Sequence, residues 1–184
     1  MAKDDIIPKL TTVFQRYGYD GTTLKQLSDM TGLGKASLYH HFPNGKEEMA
    51  AAVLSDVGKR FDDLILAPLR TTAPPLKRLQ SMSRNISEFY AHGEKSCLLA
   101  VMSLGDSGDR FQAGLQQAMK AWINTLSAVL REAGINGAIA QQRAEDAVIQ
   151  VQGALVVARV LGDTQAFQRV ITELPEKLLA PSQH

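Results

Sequence analysis

A single cysteine, Cys97, stands in 184 residues. It excludes an intramolecular disulfide and suits a reducing compartment. Long apolar runs are missing too. Runs such as AAAV from Ala50 and GALVVA from Gly153 are far short of the roughly 20 residues that cross a bilayer. No secretory leader opens the chain, so a cytoplasmic protein without a membrane partner is expected. Charge of one sign is not in excess: 20 Lys and Arg against 19 Asp and Glu leave +1. Residues 1–50 balance as well, with Lys3, Lys9, Arg16, Lys25, Lys35 and Lys46 against Asp4, Asp5, Asp20, Asp29, Glu47 and Glu48. Any nucleic-acid surface must therefore come from the placement of charge rather than its sum.

Catalytic constellations are also absent. HExxH, CxxC and GxSxG do not occur, and Gly45-Lys46 runs into Glu47 without the glycine spacing of a phosphate-binding loop. Of the four histidines, His40 and His41 are adjacent, which on a helix aims them about 100° apart and prevents both from ligating one metal. Neither an enzyme, a metal site nor a cofactor is expected.

What is present is material for helices. Hydrophobic residues make up 45% of the chain, enough for a real core, and their spacing is helical throughout with no strand pattern. Pro and Gly cut the chain into about nine helices. The first covers Asp4–Tyr17, with Ile6, Ile7, Leu10, Val13 and Phe14 on one face and Gly18 as its stop. Later ones are expected at Lys46–Leu69 (core Met49, Val53, Val57, Leu64, Ile65), Leu76–Ala91 closed by His92-Gly93, Cys97–Leu104, Arg110–Ala133, Ala138–Leu161 and Thr164–Leu179. Gly105-Asp106-Ser107-Gly108 reads as a loop, and a tail follows Pro181.

The most informative stretch is Thr22–Phe42, TTLKQLSDMTGLGKASLYHHF. Thr23 and Gln26 make a capping box, Leu24, Leu27 and Met30 form a buried stripe, and small Ser28 permits close crossing by the next helix. The chain turns at Gly32-Leu33-Gly34, where Gly32 suits a positive φ and Leu33 plugs the turn. The helix Lys35–His41 then points Leu38 inward, followed by Phe42, and leaves Lys35, Ala36, Ser37, Tyr39 and His40 outside. That is a helix-turn-helix with a reading face. Ala36 and Ser37 are small enough for the backbone to approach base edges. Tyr39 and His40 can hold phosphates on one flank, Thr22 or Thr23 with a helix N-terminus on the other, and Lys46 adds a cation. The candidate DNA-binding residues are thus Thr22, Thr23, Lys35, Ala36, Ser37, Tyr39, His40 and Lys46.

Residues 6–49 resemble the N-terminal domain of TetR-type transcriptional repressors. Phe14, Gly18, Tyr19, Thr22, Thr23, Leu27, Gly32, Leu33, Lys35, Ser37, Leu38, Tyr39, His41, Phe42 and Lys46 stand where that pattern places them. The family usually has two residues between the final Phe and the Lys. Here Pro43-Asn44-Gly45 makes three, and HHFPNGKEEM is similar to the LmrA and YxaF branch. The resemblance implies an all-α fold with a helix-turn-helix domain at 1–48 and a ligand-binding and dimerisation domain at 49–184.

Within helix 138–161 the stretch Gly153–Leu161 is apolar nearly all round. One stripe, Ala144, Ala147, Val151, Ala154 or Leu155, Ala158 and Leu161, can face its own domain. Ile149, Gly153, Val156 and Val160 are left for a second copy, and the resemblance implies a four-helix dimer interface with the ninth helix. Between the fifth and eighth helices Phe89, Tyr90, Met102, Phe111, Met119 and Trp122 concentrate soft and aromatic surface. Phe89, Met102, Phe111, Met119 and Trp122 are the candidate ligand residues, with His92, Ser96, Ser103 and Asn124 as possible polar contacts. Cys97 opens its segment, where a helix N-terminus can activate a thiol, and reads more readily as a plain buried cysteine. The function these features favour is a homodimeric repressor released from a palindromic double-stranded operator by a small apolar effector. The alternative is an all-helical dimeric interaction protein that keeps the fold without specific DNA binding.

Overall fold

The computed structural model describes residues 2–105 and 108–181. They are helical, with no strand among the described residues. Counting the helical run 45–69 as one, nine α-helices follow in order among the described residues. They are α1 (Lys3–Tyr17), α2 (Leu24–Thr31), α3 (Lys35–His41), α4 (Gly45–Phe61, continued to Leu69), α5 (Pro75–Phe89), α6 (Leu98–Met102), α7 (Gly108–Glu132), α8 (Gly137–Leu161) and α9 (Gln165–Leu179). Asp106 and Ser107 of the expected loop, and the tail 182–184 with His184, lie outside the described residues.

The chain forms two compact units, Met1–Lys59 with Cys97–Gln116, and Arg60–Ser96 with Gln117–His184. In the first, α1 buries Ile6, Leu10, Val13 and Phe14 against α2 and α6. Gly18 stops α1 at φ +67°, with the Val101 carbonyl 3.4 Å from where a Cβ would sit. Only glycine takes that backbone without strain. The stripe of α2 differs from expectation: Leu27 and Thr31 are buried, Leu24 is half-buried and Met30 is 46% exposed. Two residues four apart share one face of an eight-residue helix, and Met30 falls to the side of it. Lys9 Nζ donates to the Thr31 carbonyl at 3.3 Å and closes the last turn.

The second unit holds the end of α4, α5, most of α7, and α8 with α9. After Phe61 the α-helix widens into a π segment, Asp62–Leu66, before a last turn Ala67–Leu69. The wider turn advances the register, so Ile65, Leu66 and Leu69 are buried and Leu64, expected in the core, is 45% exposed. Asn85 Nδ2 donates to the Leu64 carbonyl at 2.5 Å, and Arg70 grips Asp62 with both terminal nitrogens at 2.8 and 2.9 Å. Arg78, buried, donates to the Leu69 carbonyl at 3.0 Å and to Glu132, tying α4, α5 and α7. α9 packs against α8 and α5 through Phe167, Ile171, Leu174 and Leu178, and Arg143 donates to the Leu178 carbonyl at 2.8 Å.

α5 closes in a left-handed corner, with φ +47° at Ala91, +58° at His92 and +103° at Gly93. On α8, Ala140, Ala144, Ala147, Val148, Val151, Ala154, Leu155 and Ala158 are buried. Leu161, expected in that stripe, is 69% exposed, because it ends the helix just before the chain reverses at left-handed Gly162.

Candidate functional site

Local chemistry builds the helix-turn-helix. Gln26 N–H donates to Thr23 Oγ1 at 3.2 Å and Thr23 N–H donates to Gln26 Oε1 at 2.7 Å, so the capping box fixes where α2 begins. Gly32 ends it at φ +73°, its N–H donating to the Ser28 carbonyl at 2.9 Å. Ser28 does more than leave room: its hydroxyl donates to the Leu33 carbonyl at 2.5 Å. Leu33 N–H donates to Thr31 Oγ1 at 3.3 Å. The turn's backbone groups are thereby held by side chains of the preceding helix.

α3 presents Lys35, Ala36, Ser37, Tyr39 and His40 to solvent and buries Leu38, the face expected from the sequence. The aromatic ring of Tyr39, 44% exposed, lies beside Gly45, where a Cβ would stand 3.2 Å from its Cε1. Gly45 also takes φ +67°. The third linker residue thus lets α4 start close under Tyr39, and two separate demands make it glycine. Glu48 accepts from Asn44 N–H at 3.0 Å and from Lys3 Nζ at 3.3 Å. The Asn44 hydrogen bond holds its carboxyl below the ordinary 4.5, partly offset by desolvation and helped by Lys3.

Two residues of the expected phosphate-gripping set are placed otherwise. Thr22 is 2% exposed and its hydroxyl donates to the Gly18 carbonyl at 2.5 Å. Lys46 Nζ donates to the carbonyls of Tyr19 and Thr22, each at 3.0 Å, and stands 4.3 Å from the centroid of the Tyr19 ring. It braces the α1–α2 corner. Around Tyr19 the same unit assembles Phe111, edge-on at 5.1 Å, and Arg110, 5.9 Å from its centroid. Arg110 is paired with Glu47 at 2.6 Å. Burial pushes the Tyr19 hydroxyl above its ordinary range, against the Arg110 charge.

The other early cations are also engaged. Lys3 pairs with Glu48 and Lys25 with Asp29, each at 3.3 Å, Lys9 holds the Thr31 carbonyl, and Arg16 lies 5.3 Å from the Tyr17 ring. Among the described residues, Lys35 alone of the six has no such partner. It opens the exposed helix.

The five candidate ligand residues divide between the units. Met102 is buried in the first, where Phe111 meets Tyr19. Phe89, Met119 and Trp122 belong to the second. There Phe61, which the sequence did not single out, meets Trp122 at 5.0 Å and Phe89 at 5.5 Å, both edge-on. Phe61 precedes a π segment that periodicity does not announce. The polar candidates are employed elsewhere or outside. His92 Nδ1 meets Ser87 Oγ at 3.0 Å, Ser96 Oγ accepts from Arg159 at 2.8 Å, Ser103 bonds the Ala100 carbonyl at 2.8 Å and Asn124 is exposed. Cys97 is buried. On α8 the single chain leaves Ile149 66%, Val156 61% and Val160 77% exposed, with Gly153 among them.

Comparison with known proteins covers both ends of the chain. Residues 6–53 match the family model for bacterial regulatory proteins of the tetR family. Residues 75–173 match that for the C-terminal domain of LmrA/YxaF-like transcriptional regulators. The HTH-type transcriptional regulator LmrA of Bacillus subtilis is 22% identical over 183 residues, 96% of each chain. The HTH-type transcriptional repressor DhaR of a Mycobacterium species is 23% identical over 190 residues, 99% of this chain and 94% of that one. A crystal structure of a TetR transcriptional regulator from Legionella pneumophila superposes with a TM-score of 0.80 at 22% identity, covering 96% of this chain and 97% of that one.

Proposed function

Because this chain belongs to the TetR family of transcriptional regulators, in its LmrA/YxaF-like branch, we propose that it is a homodimeric repressor that leaves a palindromic operator when a small molecule binds. As a member of a family of regulators it is not an enzyme. The observation that carries the proposal is the exposed face of α3, with Lys35, Ala36, Ser37, Tyr39 and His40 outward and Leu38 inward. In this reading residues 1–48 bind DNA and 49–184 bind the effector and pair the subunits, in the cytoplasm. Among the described residues no helix is long and apolar enough to cross a membrane.

Ala36 and Ser37 face base edges, Tyr39, His40 and Lys35 meet phosphates, and Thr23 with the start of α2 meets the backbone from the other side. Thr22 and Lys46 act from behind, by holding the corner. One such helix reads only a few base pairs, so a second copy supplies the other half-site about 34 Å away. The exposed Ile149, Val156 and Val160 of α8 support that pairing, since an apolar face of this kind is stabilised by covering it. An effector that favours the non-binding arrangement displaces α4, which supplies residues to both units, and changes the spacing of the two α3 helices. A coupling of about 1 to 3 kcal/mol is enough for a useful response.

Selection of bound fragments from a random duplex pool tests this. An enriched palindrome with half-sites one turn apart supports the reading. A dimer with no salt-dependent affinity for any duplex refutes it in favour of an interaction protein.

A further inference from the structure

Trp122 is the only tryptophan of the chain and lies on the inner face of α7, with Leu115, Leu126, Val129 and Leu130 also buried along that helix. The indole is 2% exposed, and its carbon framework is contacted edge-on by Phe61, which also meets Phe89 edge-on. Its Nε1–H is buried and has no hydrogen-bond partner among the described residues. Buried indole N–H groups usually find a partner, and an indole nitrogen only donates. A molecule that engages this N–H must therefore bring an acceptor lone pair. Met119, one turn before Trp122, and the half-buried ring of Phe89 are apolar and bring none of useful strength.

The Arg60 guanidinium stands 6.0 Å from the Phe89 centroid, at the edge of the same ring cluster. The corner is also held firm: Phe61 leads into the π segment whose Leu64 carbonyl is fixed by Asn85 of α5.

We propose that the effector presents a hydrogen-bond acceptor oxygen, on an apolar body, to Nε1 of Trp122 beside the rings of Phe61 and Phe89. This deepens the ligand-responsive reading above and rests on it. It adds one obligatory polar group to the small apolar effector expected from the sequence and gives its partner as Trp122.

One tryptophan means one indole N–H signal in the ¹⁵N spectrum of the full-length protein, so the donor reports on itself. The probes are two shape-matched pairs, acetophenone with ethylbenzene and 2-acetylnaphthalene with 2-ethylnaphthalene, each differing in the carbonyl oxygen. The expected result is a downfield shift of the indole proton with a ketone and not with its hydrocarbon, and binding of that ketone about fivefold tighter, the worth of one neutral hydrogen bond. Trp122→Phe, which keeps an aromatic ring and removes the donor, should abolish the preference. The inference is overturned if no probe moves the indole signal, if ketone and hydrocarbon bind alike, or if the preference survives in Trp122→Phe. Should that variant not fold, the parent protein's indole signal decides alone. Operator release is measured separately. A ketone that engages the indole without releasing DNA supports this inference and counts against ligand-responsive repression; a compound that releases DNA without touching the indole does the reverse.

Discussion

Replacing Lys46 with methionine keeps an apolar stem of similar reach and removes the ammonium that holds the Tyr19 and Thr22 carbonyls at 3.0 Å each. Hydrogen bonds from a charged donor contribute about 1.5–3 kcal/mol apiece when well enclosed. Lys46 is only half-buried, so about 2 kcal/mol for the pair is the expected loss, or a fall of about 4 to 8 °C in Tm for a chain of this size. The bracing role separates from phosphate contact by salt dependence. A lost phosphate contact lowers the slope of log affinity against log salt by about 0.9. A lost brace weakens binding at every salt concentration and leaves the slope unchanged, because the misplaced groups are Thr23 and the start of α2. Lys46→Gln sharpens the test, since an uncharged amide can still donate to carbonyls and should recover part of the stability. A Lys46→Met protein with unchanged Tm and a slope lower by about one contact would refute the bracing argument.

Tyr39→Ala should weaken binding by a similar factor on all duplexes, whereas Ser37→Ala should change which bases are preferred; competition titrations against operator variants distinguish the two. Gly93→Ala puts a Cβ 2.9 Å from Phe167 Cδ1 at φ +103° and should cost about 3 kcal/mol in denaturant unfolding, while Ala91→Gly, at φ +47°, should stabilise by up to about 1 kcal/mol. The depressed carboxyl of Glu48 contributes stability above the ordinary 4.5 that disappears as pH falls through its lower folded value, so Glu48→Gln should flatten thermal stability against pH below 4.5. Val156→Glu, at a position 61% exposed in the single chain, should shift the protein toward monomer in sedimentation and lower operator affinity more than fold stability.

Short-range signals are legible in the chain. The box of Thr23 and Gln26, the stop at Gly32, and Leu38 inward between outward Ser37 and Tyr39 each depend on residues within a turn or two of one another. Periodicity misled where the backbone left the α register or the helix was too short to fix its face. The π segment turned Leu64 outward, and an eight-residue α2 chose Thr31 over Met30. Composition alone grouped Met102 and Phe111 with Trp122, although packing gives the first two to α1 and Tyr19 and the last to Phe61.

The amino-acid order by itself determined where the helices begin and end and which side of α3 meets solvent, because caps, glycine φ angles and the 3.6-residue repeat are local properties. Tertiary structure decided what the polar groups do. Lys46 meets carbonyls 27 and 24 residues away, and among the described residues the Trp122 N–H is buried without a partner beside Phe61. Such pairings depend on where distant segments settle, which no local pattern records.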